Sequence, residues 1–115
     1  MVTRLTKGRL KVTISETRAE LGEVAAREVG AYIRSLLETK PEVNIIFASA
    51  PSQNDFLANL LLEEIDWSRV NAFHMDEYIG IDPHAPQAFG QFLRDRIFSK
   101  KTFKSVNYID SKAAD

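Results

Sequence analysis

The sequence predicts an α/β protein: a doubly wound, mostly parallel sheet flanked by helices in three layers, α/β/α, and incomplete in this chain. Three observations carry this expectation. Short runs of strand character recur along the chain, either alternating or wholly apolar. Between them lie longer stretches whose apolar residues fall three and four apart, the period of a helix. The two kinds of segment take turns, as they must where parallel strands are joined by helical crossovers.

The first strand is expected around Leu10–Ile14, where Leu10, Val12 and Ile14 alternate with Lys11 and Thr13. The strongest periodic signal follows. Leu21, Val24, Ala25, Val29, Tyr32, Ile33, Leu36 and Leu37 line one face, and Glu20, Glu23, Arg27, Arg34 and Glu38 fill the other. Thr17-x-x-Glu20 reads as a capping box and Pro41 as the stop, so a helix is predicted from Arg18 to Glu38. Val43–Ser49 is a mostly apolar run of strand length, expected to be buried on both faces as in the centre of a parallel sheet. Ser52-x-x-Asp55 reads as a second capping box, opening a helix with the stripe Phe56, Leu57, Leu60, Leu61 and Ile65. A strand over Val70–Met75 runs into Asp76-Glu77-Tyr78, and Gly80–Pro86 is a loop. Phe89, Phe92, Leu93, Ile97 and Phe98 mark another helix, and Val106–Ile109 a last short strand.

Composition excludes several classes of function. The chain is 44% hydrophobic and 27% charged with five Gly and four Pro, which is globular rather than disordered or collagenous. A net charge of −1 leaves no basic excess for nucleic acid or an anionic membrane, and neither is an expected partner. The basic residues Arg4, Lys7, Arg9 and Lys11, and the cluster Lys100, Lys101 and Lys104, lack interleaved aromatics and read as solvated surface. Without cysteine there is no disulfide framework, thiolate nucleophile or Cys-ligated metal. No apolar run nears the roughly 18 residues of a membrane span and the start has no apolar signal core, so a soluble, cytoplasmic protein is expected.

In open parallel sheets, ligands bind beyond the carboxyl ends of the strands. Two such ends carry candidates. At Ser49-Ala50-Pro51-Ser52-Gln53-Asn54, helix-terminal N–H groups and the Ser52 hydroxyl could meet an anion; the plainer alternative is a helix cap and a small turn residue. At the other end stand Asp76 and Glu77. Adjacent carboxylates need water, a cation or a substrate, and one facing a cleft suits proton transfer, although a solvated acidic turn fits as well. Alternation puts His74 on the side of Asp76, but a lone strand histidine is more often a hydrogen-bonded core residue. His74-x-Asp76-Glu77 offers too few ligands for a metal, so none is expected. His84 reads as surface.

Taken together, Val70–Gly80 (VNAFHMDEYIG) is similar to the glucosamine-6-phosphate deaminase/isomerase family, whose strand ends in Phe-Asn-Met-Asp-Glu-Tyr followed by Val-Gly or Ile-Gly. Ile45–Leu61 resembles that family's strand, sugar-phosphate loop and helix, and Pro86–Phe98 the helix after the acidic motif. The resemblance implies a cofactor-free aldose–ketose isomerisation of an amino-sugar phosphate, with Asp76 as the enolising base. It implies Ser49, Ser52, Gln53 and Glu77 around the substrate, with Glu77 and Tyr78 in part as support for the loop; a half sheet would also expose apolar strand and helix faces, so a homo-oligomer is expected. Two departures stand out. The family's Pro-Thr-Gly-Gly-Thr-Pro loop is Ser49–Asn54 here, without glycine, and its Ser-Tyr pair is Ala88-Phe89. Nothing matches the family's second half, where an Asp, a His and a Glu assist ring opening. Residues 1–115 are therefore expected to be the N-terminal portion of one sugar-phosphate isomerase-like domain, not fully active alone. The alternative of another class is a non-catalytic sugar-phosphate sensor, although no DNA-binding helix-turn-helix accompanies it.

Overall fold

The computed structural model describes residues 1–113, so the domain limit expected at Asp115 lies outside the described residues. Its elements are β1 (Val2–Lys7), β2 (Leu10–Ser15), α1 (Arg18–Leu37), β3 (Val43–Phe47), α2 (Asn54–Leu60), β4 (Val70–His74), α3 (Phe89–Leu93) and β5 (Ser105–Asn107). A 3₁₀ turn, Pro51–Gln53, precedes α2, and a π-helical turn, Arg94–Phe98, continues α3.

Strands β3, β4 and β5 form a parallel sheet in that order, with β4 central. Strand β2 does not join them: it pairs antiparallel with β1 in a separate hairpin. Arg4, Lys7, Arg9 and Lys11 are exposed, as expected, but the opening stretch that carries the first two is an unexpected strand. The hairpin's turn is Gly8-Arg9, with Gly8 at φ +59° while among the described residues none other than glycine has positive φ, the pattern of a two-residue type II′ hairpin.

Register divides the parallel sheet into two unlike faces. Val43 pairs with Val70, Ile45 with Ala72 and Phe47 with His74, and this face packs into the core with Leu57, Leu60, Leu93, Ile97 and Phe98. Each fully buried aliphatic side chain there contributes about 1.5–3 kcal/mol over its exposed state. The opposite face carries Asn44, Ile46, Asn71, Phe73, Ser105 and Asn107. Its amides and hydroxyl form a hydrogen-bonded row, with Asn71 donating to Asn44 at 3.0 Å and Ser105 to Asn71 at 2.7 Å. Ile46 is 69% exposed and Met75 62%. Val43–Phe47 is therefore buried on one face only, because nothing in the described residues covers the other. The helices make one layer over the sheet, and the third expected layer is not among them.

The long helix forms as its sequence dictates. Thr17, in extended conformation, caps it by accepting from the Glu20 N–H at 3.1 Å. Its last carbonyl, that of Leu37, is met by Arg69, whose guanidinium also donates to the Lys40 and Pro41 carbonyls of the turn beyond and ties the start of β4 to the end of α1. Along its inner face Gly22, Ala26 and Gly30 are buried and fall one turn apart, which lets α2 and the turn after it approach closely. A Cβ at Gly22 would lie 2.6 Å from the Asp55 Cβ and 2.8 Å from its carbonyl carbon. At Gly30 it would meet the Glu63 side chain, nearest at Oε1, 2.5 Å away.

Both glycines give up about 1 kcal/mol of helix propensity relative to alanine. Gly22→Ala should nevertheless destabilise the fold, by about 1–3 kcal/mol, because the obstacle is backbone that must shift. Gly30→Ala should cost clearly less, since Glu63 can swing aside. Urea unfolding of the two variants checks this; a larger loss at Gly30 would contradict the close-approach account.

Candidate functional site

Phe47 pairs with His74 at the carboxyl end of the sheet, and the Met75 N–H donates to the Phe47 carbonyl at 3.1 Å. The residues that follow each strand, Ala48–Asn54 and Asp76–Tyr78, therefore leave from the same sheet edge. This is the geometry expected for the two candidate loops.

His74 is 5% exposed and hydrogen-bonded on both ring nitrogens. Nε2 accepts from the Ile109 N–H at 2.9 Å, and Nδ1 lies 2.9 Å from the Asp76 carbonyl. A nitrogen that accepts from an amide carries no proton, so Nδ1 carries it and donates to Asp76. The ring is a structural group, as the simpler reading of a strand histidine holds. Among the described residues no three His, Asp or Glu side chains gather to hold an ion.

The two acidic residues have separate fates. Both oxygens of Glu77 turn to backbone: Oε1 accepts from Phe89 at 2.9 Å and Tyr78 at 3.1 Å, and Oε2 from Gly90 at 2.9 Å. Phe89 and Gly90 open α3, whose preceding residue Ala88 has no side chain able to cap. Glu77 supplies the cap from across the loop. Glu77, expected both beside the substrate and as support for the loop, thus has both carboxylate oxygens on backbone N–H groups. Gly90 is needed there too, since a Cβ would lie 3.0 Å from the Tyr108 ring, 3.4 Å from Glu77 Oε2 and 3.6 Å from His74. Asp76, by contrast, is exposed, and its carboxylate takes no hydrogen bond or ion pair among the described residues.

The Ser49 hydroxyl donates to the Phe89 carbonyl at 3.3 Å, so Ser49 and Glu77 meet at the start of α3. Ser52 and Gln53 lie further along the same loop, lining a cleft of 340 Å³ with Arg18, Gly22, Asp55 and Phe56. The second capping box does not form. Pro51 opens a 3₁₀ turn, and neither that turn nor α2 has a side-chain cap. Asp55 instead pairs with Arg18 at 3.0 Å, and Arg18 also donates to the Pro51 carbonyl. At the other end of the loop Arg96 stacks 3.8 Å over Phe92 and donates to Asn54 Oδ1 at 2.7 Å. These two arginines bracket Pro51–Asn54. Arg96 reaches Asn54 from the π-helical turn and Arg18 reaches Pro51 from the first turn of α1, contacts that no local spacing in the sequence reveals.

Partial burial pushes the Glu77 carboxyl upward, but the N–H groups of Gly90, Phe89 and Tyr78 more than reverse this and hold it below the ordinary 4.5. A carboxyl depressed on folding stabilises the protein above its ordinary value, and that contribution is lost as pH falls through the lower folded value. Glu77→Ala should therefore cost about 1–3 kcal/mol at neutral pH by leaving donors unmet. The difference from the parent chain should shrink in acid, below about 4.5. Chemical unfolding across pH measures it; a pH-independent difference would contradict the charged cap.

No family model matches this chain. It is 28% identical to glucosamine-6-phosphate deaminase 2 of Bacillus subtilis, over 77% of this chain and 36% of the relative. It is 23% identical to a glucosamine-6-phosphate deaminase of Lactobacillus delbrueckii subsp. bulgaricus, over 92% of this chain and 43% of that one. Among solved structures, a monomeric glucosamine-6-phosphate deaminase of the NagB superfamily superposes with a TM-score of 0.74 at 21% identity, over 88% of this chain and 43% of that chain. A 6-phosphogluconolactonase from Plasmodium vivax gives 0.79 at 17% identity, over 94% and 39%. The chain spans about two fifths of the length of the proteins just described. It is a distant homologue of the glucosamine-6-phosphate deaminases, matching the N-terminal part of their length with a partial version of the same α/β fold.

Proposed function

We propose that this chain carries the proton-transfer half of a sugar-phosphate isomerase site, with glucosamine 6-phosphate as substrate and Asp76 as base. The observation that carries the reading is the free carboxylate of Asp76 at the end of the central strand. Its neighbour Glu77 is consumed by α3, and its own backbone is fixed through His74.

In this reaction the open-chain aldehyde loses its C2 proton to Asp76. The C2–H electron pair forms the C1=C2 double bond of an enol while the carbonyl oxygen takes up a proton. Return of the proton to C1 gives a C2 imine, which water converts to the ketose phosphate and ammonia. A carboxylate poised beside the reacting carbon gives about 10²- to 10⁴-fold in such a step. Ser49 and the Ser52–Gln53 turn face the substrate in this reading, and no residue of this chain is assigned to ring opening. No cofactor enters.

A sensor that binds the sugar without converting it is the second reading. It is favoured by the glycine-free turn, whose Pro51 carbonyl is already engaged by Arg18. The unengaged Asp76 favours the enzyme, because a sensor has no use for a base.

Exchange of the C2 proton of glucosamine 6-phosphate in deuterated water isolates the partial reaction. Exchange above the buffer rate is expected with this chain, and Asp76→Asn should remove it by about a hundredfold or more. Equal exchange with Asp76→Asn would take the base role from Asp76. Binding without any exchange would move the reading to the sensor.

A further inference from the structure

We propose that His74 is a positioning residue, locked as the neutral Nδ1–H tautomer, which sets the backbone beneath Asp76 and anchors it to the segment after β5. The proposal deepens the reading of Asp76 as base and rests on it for its catalytic consequence; the clasp itself is independent.

His74 contributes nothing to the reaction directly, since both nitrogens are engaged. Its Nδ1–H holds the Asp76 carbonyl 2.9 Å away and its Nε2 holds the Ile109 N–H at 2.9 Å. One buried ring thus joins the loop after β4 to the chain after β5, which the sheet register alone leaves apart beyond Phe73 and Asn107. The same junction is tied further along. Gly80, at φ +78°, donates its N–H to the Ser111 carbonyl at 2.6 Å, and the buried Ser111 hydroxyl donates to the Ile81 carbonyl at 2.6 Å. Loop 76–81 and segment 109–111 consequently behave as one unit, with the base at its open end.

A carboxylate misplaced by about 1 Å can lose a hundredfold in rate, so the bond to the Asp76 carbonyl is the one that matters for chemistry. Two substitutions separate the bonds. In His74→Asn the amide N–H₂ can stand where Nδ1 stood, while nothing reaches Ile109. In His74→Gln the longer side chain can place an acceptor where Nε2 stood, while the donor to Asp76 is gone.

The first readout is the unaltered chain, where long-range ¹⁵N–¹H correlation shows which ring nitrogen is protonated. A proton on Nδ1 with Nε2 bare is expected; a proton on Nε2 would overturn the clasp whether or not any variant folds. The second is C2-proton exchange on glucosamine 6-phosphate. His74→Asn should stay near the parent rate with a faster-exchanging Ile109 amide, and His74→Gln should fall about a hundredfold with that amide protected. Equal losses in both would overturn the positioning role in favour of a purely structural one. If the parent chain shows no exchange, the sugar reading fails separately. The amide shifts of Met75–Glu77 then decide: they must move in the Gln variant and hold in the Asn variant.

Discussion

Two carboxylates leave the end of β4 side by side, and the structure depends on one of them being taken. Glu77 accepts three backbone N–H groups, two of them opening α3. That helix is short, its own N-cap position is an alanine, and a Cβ on its Gly90 would lie 3.6 Å from His74. Without an acceptor from outside, those donors would be buried and unmet, at a cost comparable to a sizeable part of a small domain's stability. The same contact holds the loop in which Asp76 stands. Capping α3 and presenting Asp76 are one arrangement seen from two sides.

A second constraint is the thinness of the layer over the sheet. Helix α1 can bring α2 close only because Gly22, Ala26 and Gly30 present no bulk on the shared face. That closeness places the Pro51–Gln53 turn against Arg18 and shapes the cleft beside it. The opposite face of the sheet, with its Asn–Ser row beside Ile46, Phe73 and Met75, is open among the described residues. This accords with a chain that spans about two fifths of the proteins it resembles.

The elements that local chemistry determines were legible before the fold was known. Thr17 and Pro41 bound α1, and the structure ends it one residue short of the expected Glu38. The strands of the parallel sheet lie where their apolar runs are, each shorter than expected because the last residues turn into loops. What failed did so for identifiable reasons. The basic, alternating start hid β1, although Gly8 is a hairpin signal in the right place. VNIIF reads as mostly apolar, yet its alternation puts Asn44 and Ile46 outward. Ser52 could not act as a cap because Pro51 opens a 3₁₀ turn ahead of it. At the site, the hydrogen-bonded character of His74 was readable from residue type. The task of Glu77 was not, since its partners lie 12 and 13 residues further on. The uncapped Ala88 was the one clue that some distant acceptor was required.

The account stands most directly on whether the two loops at the sheet edge share a ligand. Amide NMR of the chain during titration with glucosamine 6-phosphate measures this. The account predicts dispersed resonances, with saturable shifts grouped at Ser49–Asn54 and Asp76–Tyr78 and little change on the Asn–Ser face. Shifts confined to the open face around Ile46 and Phe73, or no shifts in a well-folded chain, would contradict it.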